Sequence, residues 1–294
     1  MQLSSLLNQL SALFEAAGIE SARADAEILV ADCLNLGRGE LTAAAITGGE
    51  SAEVSGETLD KVLALANRRA EREPLQHLTG KAYFRNLTLA VGPGVFVPRP
   101  ETELLAQLGI DALNALPGET IGVDLATGSG AIALALATEA ERAKVYAIEL
   151  STDAIAWTAK NFDKYTAPKP AGAGAKAHLA QGDLRDAFPS LNGTVDVLVT
   201  NPPYIPDAMI PIYPEVVLHD PKLALYGGTD GLDLVRAASQ TGLRLLKSGG
   251  FFAVEHADIQ GPSVVELLER DGWLDVTQHQ DFNKRDRVVS ARRP

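Results

Sequence analysis

The sequence predicts an α/β protein in which a small helical bundle and a β-hairpin linker precede a seven-stranded, mostly parallel sheet. Three observations support this fold class. Apolar residues recur at helical spacing in the first 80 residues, an alternating β-branched stretch follows, and strand and helix patterns alternate from residue 101 onward. The predicted domains are therefore residues 1–80, a linker at 81–100, and residues 101–294.

The first 80 residues contain three predicted helices. The first begins near residue 3 and ends at Gly18, and the others cover about 22–36 and 58–72, with a break around Gly48-Gly49. Cys33 lies on an apolar helix face, which indicates core packing and not a reactive thiol. The apolar stripe of the first helix consists of Leu3, Leu6, Leu7, Leu10, Leu13 and Phe14.

Residues 81–98 change to the alternating pattern of strands. The stretch is rich in β-branched and aromatic residues and contains Gly92-Pro93-Gly94, which predicts a hairpin with its turn at these three residues.

The remaining chain alternates between strands and helices. Predicted strands cover 121–125, 144–149, 177–181, 195–200, 250–255, 273–280 and 287–292; predicted helices cover 101–115, 130–140, 151–164, 230–246 and 261–270. Composition predicts an exposed loop at 168–176. Only a polar turn separates the last two strands, so they must pair as an antiparallel hairpin. A mostly parallel sheet that ends in such a hairpin is the Rossmann-like architecture of class I methyltransferases.

Composition and charge narrow the function classes. Hydrophobic residues make up 46% and charged residues 22%, and a single cysteine excludes a disulfide framework. No secretory signal and no apolar run of about 18 residues is present, so we expect a cytoplasmic protein without a membrane partner. The net charge of −12, divided evenly between 1–80 and 81–294, argues against a nucleic-acid partner. The five scattered histidines predict no metal site.

A glycine-containing turn follows the first strand of the sheet. Gly128 and Gly130 allow a sharp turn and close approach of a ligand, and the next helix offers unpaired N–H donors. The third glycine of a dinucleotide fingerprint is missing, because Ile132 and Ala133 follow Ala131. A tight turn without any ligand also fits this pattern.

Two further strand ends complete a predicted adenosine site. Glu149 ends the second strand and can accept both ribose hydroxyls, while Asp183 after the third strand can accept from an adenine amino group, with Leu184 covering the ring. Together with the glycine turn they form one trough. These residues alone do not separate a nicotinamide dinucleotide from S-adenosylmethionine.

Asn201-Pro202-Pro203-Tyr204 is the most informative segment. A buried strand runs into two prolines, which fix the backbone and remove donors. The side-chain carbonyl of Asn201 and the backbone carbonyl of Pro202 can then accept from one –NH2 group, and Tyr204 can stack on it. Holding a planar nitrogen in this way aligns it for attack on a sulfonium methyl group. The segment does not say whether that nitrogen belongs to glutamine, adenine or another amide.

Two groups near the C-terminus are interpreted without a chemical role. His256, which follows a buried strand, is interpreted as structural, and Lys284-Arg285-Asp286-Arg287 as a solvated hairpin turn.

Over nearly its whole length the chain resembles the release-factor glutamine methyltransferases of the HemK/PrmC family. The Asn-Pro-Pro-Tyr segment is shared with adenine-N6 methyltransferases, whereas 98–103 and 227–233 are more specific to this family. The segments that carry the resemblance are 73–80, 96–103, Asp124 to Gly130, Asn201 to Tyr204, 223–233 and 285–288.

The resemblance implies methylation of the amide of the glutamine in the Gly-Gly-Gln loop of bacterial release factors. It implies that the helical domain binds the release factor and that S-adenosyl-L-methionine becomes S-adenosyl-L-homocysteine. It further implies a catalytic role for Asn201, Pro202 and Tyr204 and substrate contacts from Pro203 as well; we expect a monomer. The implied cofactor contacts are Ala126, Thr127, Gly128, Ser129, Gly130, Glu149, Leu184 and Asn201.

Two positions depart from the commonest family pattern. Ala126 stands where glycine is usual and fits the turn if its φ is negative, and Glu149 replaces an aspartate with a longer reach.

Three other functions stay open at this point. They are adenine-N6 methylation, a non-catalytic adenosine-binding module, and a nicotinamide dehydrogenase. The charge disfavours the first and the missing third glycine disfavours the last.

Overall fold

A computed structural model describes residues 1–47, 53–167 and 176–294. The chain divides into two compact units: a helical unit of residues 1–81 with 212–219, and a sheet unit of residues 82–211 with 220–294. The predicted break at Gly48-Gly49 and all but the last residue of the predicted loop at 168–176 lie outside the described residues. The domain boundaries drawn from the sequence stay a prediction.

Residues 1–80 contain two described helices that the sequence pattern did not predict. The third helix, α3, buries only Leu41, so it shows no apolar stripe, and α5 is only five residues long. Cys33 packs partly buried against the helical core. The helices are α1 Leu3–Ala16, α2 Ala22–Leu34, α3 Arg38–Thr47, α4 Gly56–Ala70 and α5 Leu75–Thr79.

A buried ion-pair network organises this unit. The side chain of Arg69 on α4 is 7% exposed and donates to the carboxylate of Asp25 on α2 at 2.8 Å. Arg69 and Arg72 also bond the two carboxylate oxygens of Glu215, at 3.0 and 2.7 Å. Two arginines therefore fix the short segment 212–219 on the helical unit.

The hairpin forms, but its turn was predicted at the wrong place. Strands β1 (Lys81–Phe84) and β2 (Leu87–Ala90) pair around Arg85 and the following residue, and Arg85 adopts a φ of 51°. Gly92 and Gly94 follow the hairpin and pack against the helix at 152–166. A Cβ at Gly92 would lie 2.3 Å from the ring of Trp157, whose indole N–H donates to the Pro93 carbonyl at 3.1 Å. Residues 92–95 do form a turn, in which the Val95 N–H donates to the Gly92 carbonyl at 3.3 Å, but this turn does not join the two strands. Close packing accounts for glycine at position 92.

The sheet unit confirms the predicted fold class. Its seven strands run in the order β5-β4-β3-β6-β7-β9-β8, parallel from β5 to β7, with β9 antiparallel to both β7 and β8. The strands are β3 Thr120–Leu125, β4 Ala143–Glu149, β5 Ala177–Gln181, β6 Val195–Thr200, β7 Leu246–Glu255, β8 Leu274–Gln280 and β9 Asp286–Arg292.

Helices cover both faces of this sheet, and two apolar clusters form the core, one on each side. The helix predicted at 230–246 begins three residues later, at Asp233, because 230–232 form a turn. The Asp230 carboxylate closes this turn by accepting from the Leu232 N–H at 3.0 Å. Among the described helices, none combines the length and apolar character needed to cross a bilayer. The helices are α6 Thr102–Asn114, α7 Ala131–Glu139, α8 Thr152–Thr166, α10 Asp233–Leu245 and α11 Gly261–Arg270, with α9 Pro214–His219 in the helical unit.

The buried Asp25–Arg69 ion pair leads us to a prediction about stability. We expect Arg69→Met to lower the free energy of unfolding by about 3–5 kcal/mol, because it leaves the buried Asp25 carboxylate without its guanidinium. The double variant Arg69→Met/Asp25→Leu should recover most of this loss, since Asp25 no longer leaves an unpaired buried charge and Glu215 keeps its ion pair with Arg72. Urea unfolding of the wild type, both single variants and the double variant measures the coupling; additive losses would contradict the pairing.

Candidate functional site

Four loops leave the parallel sheet at one edge. The register pairs Leu125 with both Ile148 and Thr200, and Glu149 with Gln181, so the carboxyl ends of β3, β4, β5 and β6 are level. Each segment singled out in the sequence follows one of these strand ends. The topology therefore brings residues 126–130, Glu149, 183–184 and 201–204 to the same edge, where α/β sheets bind ligands.

The loop after β3 turns sharply into helix α7. Gly128 and Gly130 have φ values of 56° and 85°, as their glycine identity predicted. Ala126 has a φ of 55°, so the condition of a negative φ, under which alanine would fit this turn without strain, is not met. A left-handed alanine costs about 1–2 kcal/mol, which explains why glycine is usual at this position in the family.

Asp124 stabilises this loop, and the sequence analysis missed its role. One of its carboxylate oxygens accepts from the Thr127 hydroxyl at 2.6 Å and from the Ala133 N–H at 3.0 Å. Burial raises the pKa of Asp124 to about 7, with the two hydrogen bonds opposing the shift. The sequence offered one sign of this role, because Asp124 is the only charged residue of strand β3.

Glu149 lies beside the same loop. Its carboxylate accepts from the N–H of Gly128 at 2.8 Å and from the N–H of Ser151 at 2.8 Å. The carboxylate is thus fixed at the end of β4, as a ribose-binding acid must be, and each oxygen keeps lone pairs for a hydroxyl.

Asp183 and Leu184, which follow β5 after one glycine, differ in exposure. The Asp183 carboxylate caps a short 3-10 turn through the Arg185 N–H and also pairs with the Arg185 guanidinium at 2.8 Å. Leu184 is buried in the core, so only part of its side chain can face a ligand. Their cofactor contacts stay predictions.

The edge fits a nucleoside cofactor. A Cβ built on Gly128 would meet nothing within 4 Å, so the space beside this residue is open. Thr127 and Ser129 are buried beneath it, and Glu149 borders it. An open glycine turn at a helix N-terminus beside a fixed carboxylate is the arrangement that binds adenosine-containing groups.

The acceptor loop, which we define as residues 201–204, follows β6. The side-chain nitrogen of Asn201 donates to the Thr102 hydroxyl at 3.2 Å. In the described part of the chain, no donor bonds the side-chain oxygen of Asn201 or the carbonyl of Pro202. Tyr204 is half-buried, and burial of its hydroxyl together with nearby Glu255 raises the pKa of the phenol, which stays protonated.

A neighbouring glycine segment supports the acceptor loop. A Cβ at Gly227 would lie 2.5 Å from the Pro203 carbonyl, and one at Gly231 would lie 2.2 Å from the Tyr204 carbonyl. Gln260 donates to that same Tyr204 carbonyl at 2.9 Å. The sequence did not predict that Gly227, Gly231 and Gln260 support the acceptor loop. The two glycines do belong to the segment 223–233, which carries part of the family resemblance.

Two charged residues near Tyr204 were not predicted as part of the site. Glu255, the last residue of β7, is buried beside Asn201 and was not proposed for the site. Arg287 was interpreted as part of a solvated turn, although it also begins the strand predicted at 287–292. It lies in β9, and its side chain is only 13% exposed. Its charge acts on both Tyr204 and Glu255. The turn itself lies at 281–285, where Asp281 accepts from two backbone N–H groups.

His256 makes two contacts inside the protein. Its ring bonds the Ala257 carbonyl at 2.7 Å and the Gln278 amide at 3.1 Å. Within the described ranges, no three His, Cys, Asp or Glu side chains lie close enough to hold a metal ion.

The fold and the loops at its edge define a class I methyltransferase. Residues 5–80 match the family described as PrmC N-terminal domain, and residues 86–212 match the family described as methyltransferase small domain. A release factor glutamine methyltransferase of Streptomyces coelicolor is 48% identical over 280 residues, covering 94% of this chain and 93% of its own length. The chain belongs to the release factor glutamine methyltransferases.

Two other similar proteins act on different acceptors. A 4-amino-L-phenylalanine/4-methylamino-L-phenylalanine methyltransferase of Streptomyces pristinaespiralis is 38% identical and covers 96% of this chain and 92% of its own. The solved T. thermophilus 16S rRNA N2 G1207 methyltransferase, in complex with AdoMet and guanosine, is 20% identical with a TM-score of 0.51, covering 73% of this chain and 50% of its own. The latter likeness concerns the fold alone.

The left-handed backbone conformation of Ala126 leads us to a second prediction about stability. We expect Ala126→Gly to raise the free energy of unfolding by about 0.5–1 kcal/mol, because relief of the positive φ exceeds the entropy that glycine adds to the unfolded chain. Ala135→Gly, inside helix α7, should instead lower it by about 1 kcal/mol or more. Chemical denaturation of both variants tests this; a loss of stability in Ala126→Gly would contradict it.

Proposed function

We propose that this protein uses S-adenosyl-L-methionine to methylate the side-chain amide nitrogen, N5, of the glutamine in the Gly-Gly-Gln motif of bacterial peptide-chain release factors. The observation that supports it best is the pair of acceptor oxygens, on Asn201 and Pro202, that no described donor satisfies. Two such oxygens on one rigid corner suit a primary amide, which has two N–H groups in one plane. The membership of the chain in the release factor glutamine methyltransferases gives independent support.

The residues along the sheet edge would hold the cofactor. Glu149 would bind the ribose, Asp183 and Leu184 the adenine, and the turn at 126–130 the rest of the molecule, with Asn201 nearby. When bound, S-adenosylmethionine supplies an electrophilic methyl group on a sulfonium and leaves as S-adenosyl-L-homocysteine. The open side of Gly128 supports a ligand at this turn.

The acceptor loop would overcome the low reactivity of the amide. An amide nitrogen is planar because its lone pair is delocalised into the carbonyl. Two hydrogen bonds to Asn201 and Pro202 fix the plane of the amide and orient its nitrogen toward the methyl group. Since both prolines restrict the backbone, the oxygens need not reorganise at the moment of reaction.

Tyr204 would shape the acceptor pocket without acting as a base. Its raised pKa keeps the phenol neutral at physiological pH. A neutral aromatic ring packs against a flat amide, and it does not remove the amide proton. The nitrogen becomes acidic once it carries the methyl group, so its proton can then pass to water.

A second candidate acceptor is the amino group of a free aromatic amino acid. The Streptomyces pristinaespiralis relative, which is named for two such substrates, favours it. An aniline nitrogen also has two N–H groups conjugated to a π system, so the same pair of oxygens would accept it. The acceptor loop alone does not separate these substrates, and the negative net charge of the chain disfavours adenine in nucleic acid.

Removal of Asn201 tests the proposed reaction. We expect Asn201→Ala to lower methyl transfer to a purified release factor by about 100-fold or more, because one of the two oxygens that orient the amide is lost. Mass spectrometry of the release factor should show one added methyl group on the Gly-Gly-Gln glutamine with the wild type. Asn283→Ala, which removes an exposed amide in the hairpin turn, serves as the control.

Parallel reactions with 4-amino-L-phenylalanine and with duplex DNA separate the alternatives. Methylation of either one, with an unmodified release factor under the same conditions, would refute the proposed substrate.

Gly231 tests whether the support of the acceptor loop matters for catalysis. Gly231→Ala places a Cβ 2.2 Å from the Tyr204 carbonyl at a φ of +77°. Displacing the loop by about 1 Å should lower kcat about 100-fold. Gly249→Ala is the matched control, since its φ is +76° and its Cβ meets nothing within 4 Å. Both variants should lose about 1 kcal/mol of stability from the positive φ, so equal kcat values would show that the contact has no catalytic consequence.

A further inference from the structure

Glu255 and Thr102 lie on the side of Asn201 opposite its unsatisfied oxygen. The register pairs Thr200 with Val254, so Asn201 and Glu255 are the next residues on two neighbouring strands. Thr102 begins helix α6, and its hydroxyl accepts from the Asn201 nitrogen at 3.2 Å. Thr102 and Asn201 both lie near enough to the Glu255 carboxyl to lower its pKa.

The orientation of the Asn201 amide decides what the acceptor encounters. An asparagine side chain has one oxygen, which accepts, and one –NH2 group, which donates. Only the oxygen can bind an N–H of the acceptor amide. A half-turn about the last side-chain bond would present a donor to a donor and leave the acceptor nitrogen unheld. Some group must therefore stabilise one orientation over the other.

The surroundings of Glu255 make it suited to this task. Glu255 is only 1% exposed. One of its carboxylate oxygens, Oε2, has no hydrogen-bond partner among the described residues. Burial raises the pKa of Glu255 to about 7. The charged and titratable groups that face it are Arg287 from β9, which lowers the pKa, Glu101 beside α6, which raises it, and the neutral phenol of Tyr204.

We propose that Glu255 and Thr102 are positioning residues that orient the Asn201 amide, so that its oxygen and not its nitrogen faces the acceptor. The inference rests on the proposed function and assigns a role to two residues outside the acceptor loop. An ionised Glu255 only accepts, so it bonds the –NH2 end of Asn201 and fixes the productive orientation. A protonated Glu255 carries a donor that can bond the Asn201 oxygen and stabilise the reversed orientation.

The sign of the pH dependence follows from this difference. The productive form of the site contains ionised Glu255, so kcat rises as pH increases through about 7 and reaches a plateau above it. Glu255→Gln removes the titration while keeping the size of the side chain. Its amide can bond Asn201 in either orientation, so we expect kcat about tenfold below the wild-type plateau and no step near pH 7.

The experiment measures kcat and KM for a release factor across pH 6–9. The variants are Glu255→Gln, Thr102→Val, Thr102→Ser and the control Glu269→Gln, an exposed carboxyl on α11. Thr102→Val should lower kcat with little change in KM, and Thr102→Ser, which restores the hydroxyl, should recover it. Calorimetry of S-adenosylmethionine binding and thermal unfolding verify that each variant folds and retains its cofactor site.

Each outcome separates this inference from the proposed function. If the wild type methylates the release factor but Glu255→Gln keeps both the wild-type kcat and its pH step, the positioning role is wrong and the function stands. A change in KM alone, or failure of Thr102→Ser to restore kcat, also overturns the positioning role. If the wild type does not methylate the release factor, the proposed function itself fails.

Discussion

The contact between two stretches of backbone determines the shape of the acceptor site. The carbonyl oxygens of Pro203 and Tyr204 lie only 2.5 and 2.2 Å from the positions that Cβ atoms on Gly227 and Gly231 would take. Two prolines cannot hold the loop through their own N–H groups, so the loop depends on its neighbours for its position. Glycine permits the close approach, and Gln260 adds a hydrogen bond to the same Tyr204 carbonyl. The loop is therefore rigid because of the residues around it as much as because of its own sequence.

Much of the fold could be predicted because burial imposes a period on the sequence. Parallel strands between helices appear as apolar runs at regular intervals, and the final hairpin follows from two strands with only a turn between them. Helix α3 was missed because a helix with one buried residue has no stripe. The hairpin turn was misplaced because Gly92 serves packing against Trp157, and composition alone does not distinguish a packed glycine from a turning one.

The candidate site was predictable only where a local motif carried it. The segments at 126–130 and 201–204 each follow a strand, and parallel topology brings their ends together. Glu255, Thr102 and Arg287 come from three distant parts of the chain, and no local pattern links them. The conformation of Ala126 could not be predicted for a different reason: the sequence shows the departure from glycine, but not that the backbone keeps a φ of 55° despite the added Cβ.

Two buried carboxyl groups at the sheet edge make the stability of the fold depend on pH. Burial raises the pKa of Asp124 and of Glu255 to about 7 each, well above the ordinary values of such groups. A folded-state pKa above the unfolded one means that the folded protein binds protons more tightly. The contribution of these groups to stability is thus greatest at low pH and declines as pH rises from about 4 toward 7.

The ordering of Asn201 that we infer has the opposite dependence, because it requires an ionised Glu255. A neutral side chain of the same shape at position 255 would remove this conflict and favour folding, but it would leave the amide of Asn201 free to reverse. Ionised Glu255 therefore lowers the stability of the fold. We infer that this carboxyl is retained because it orients the amide of Asn201.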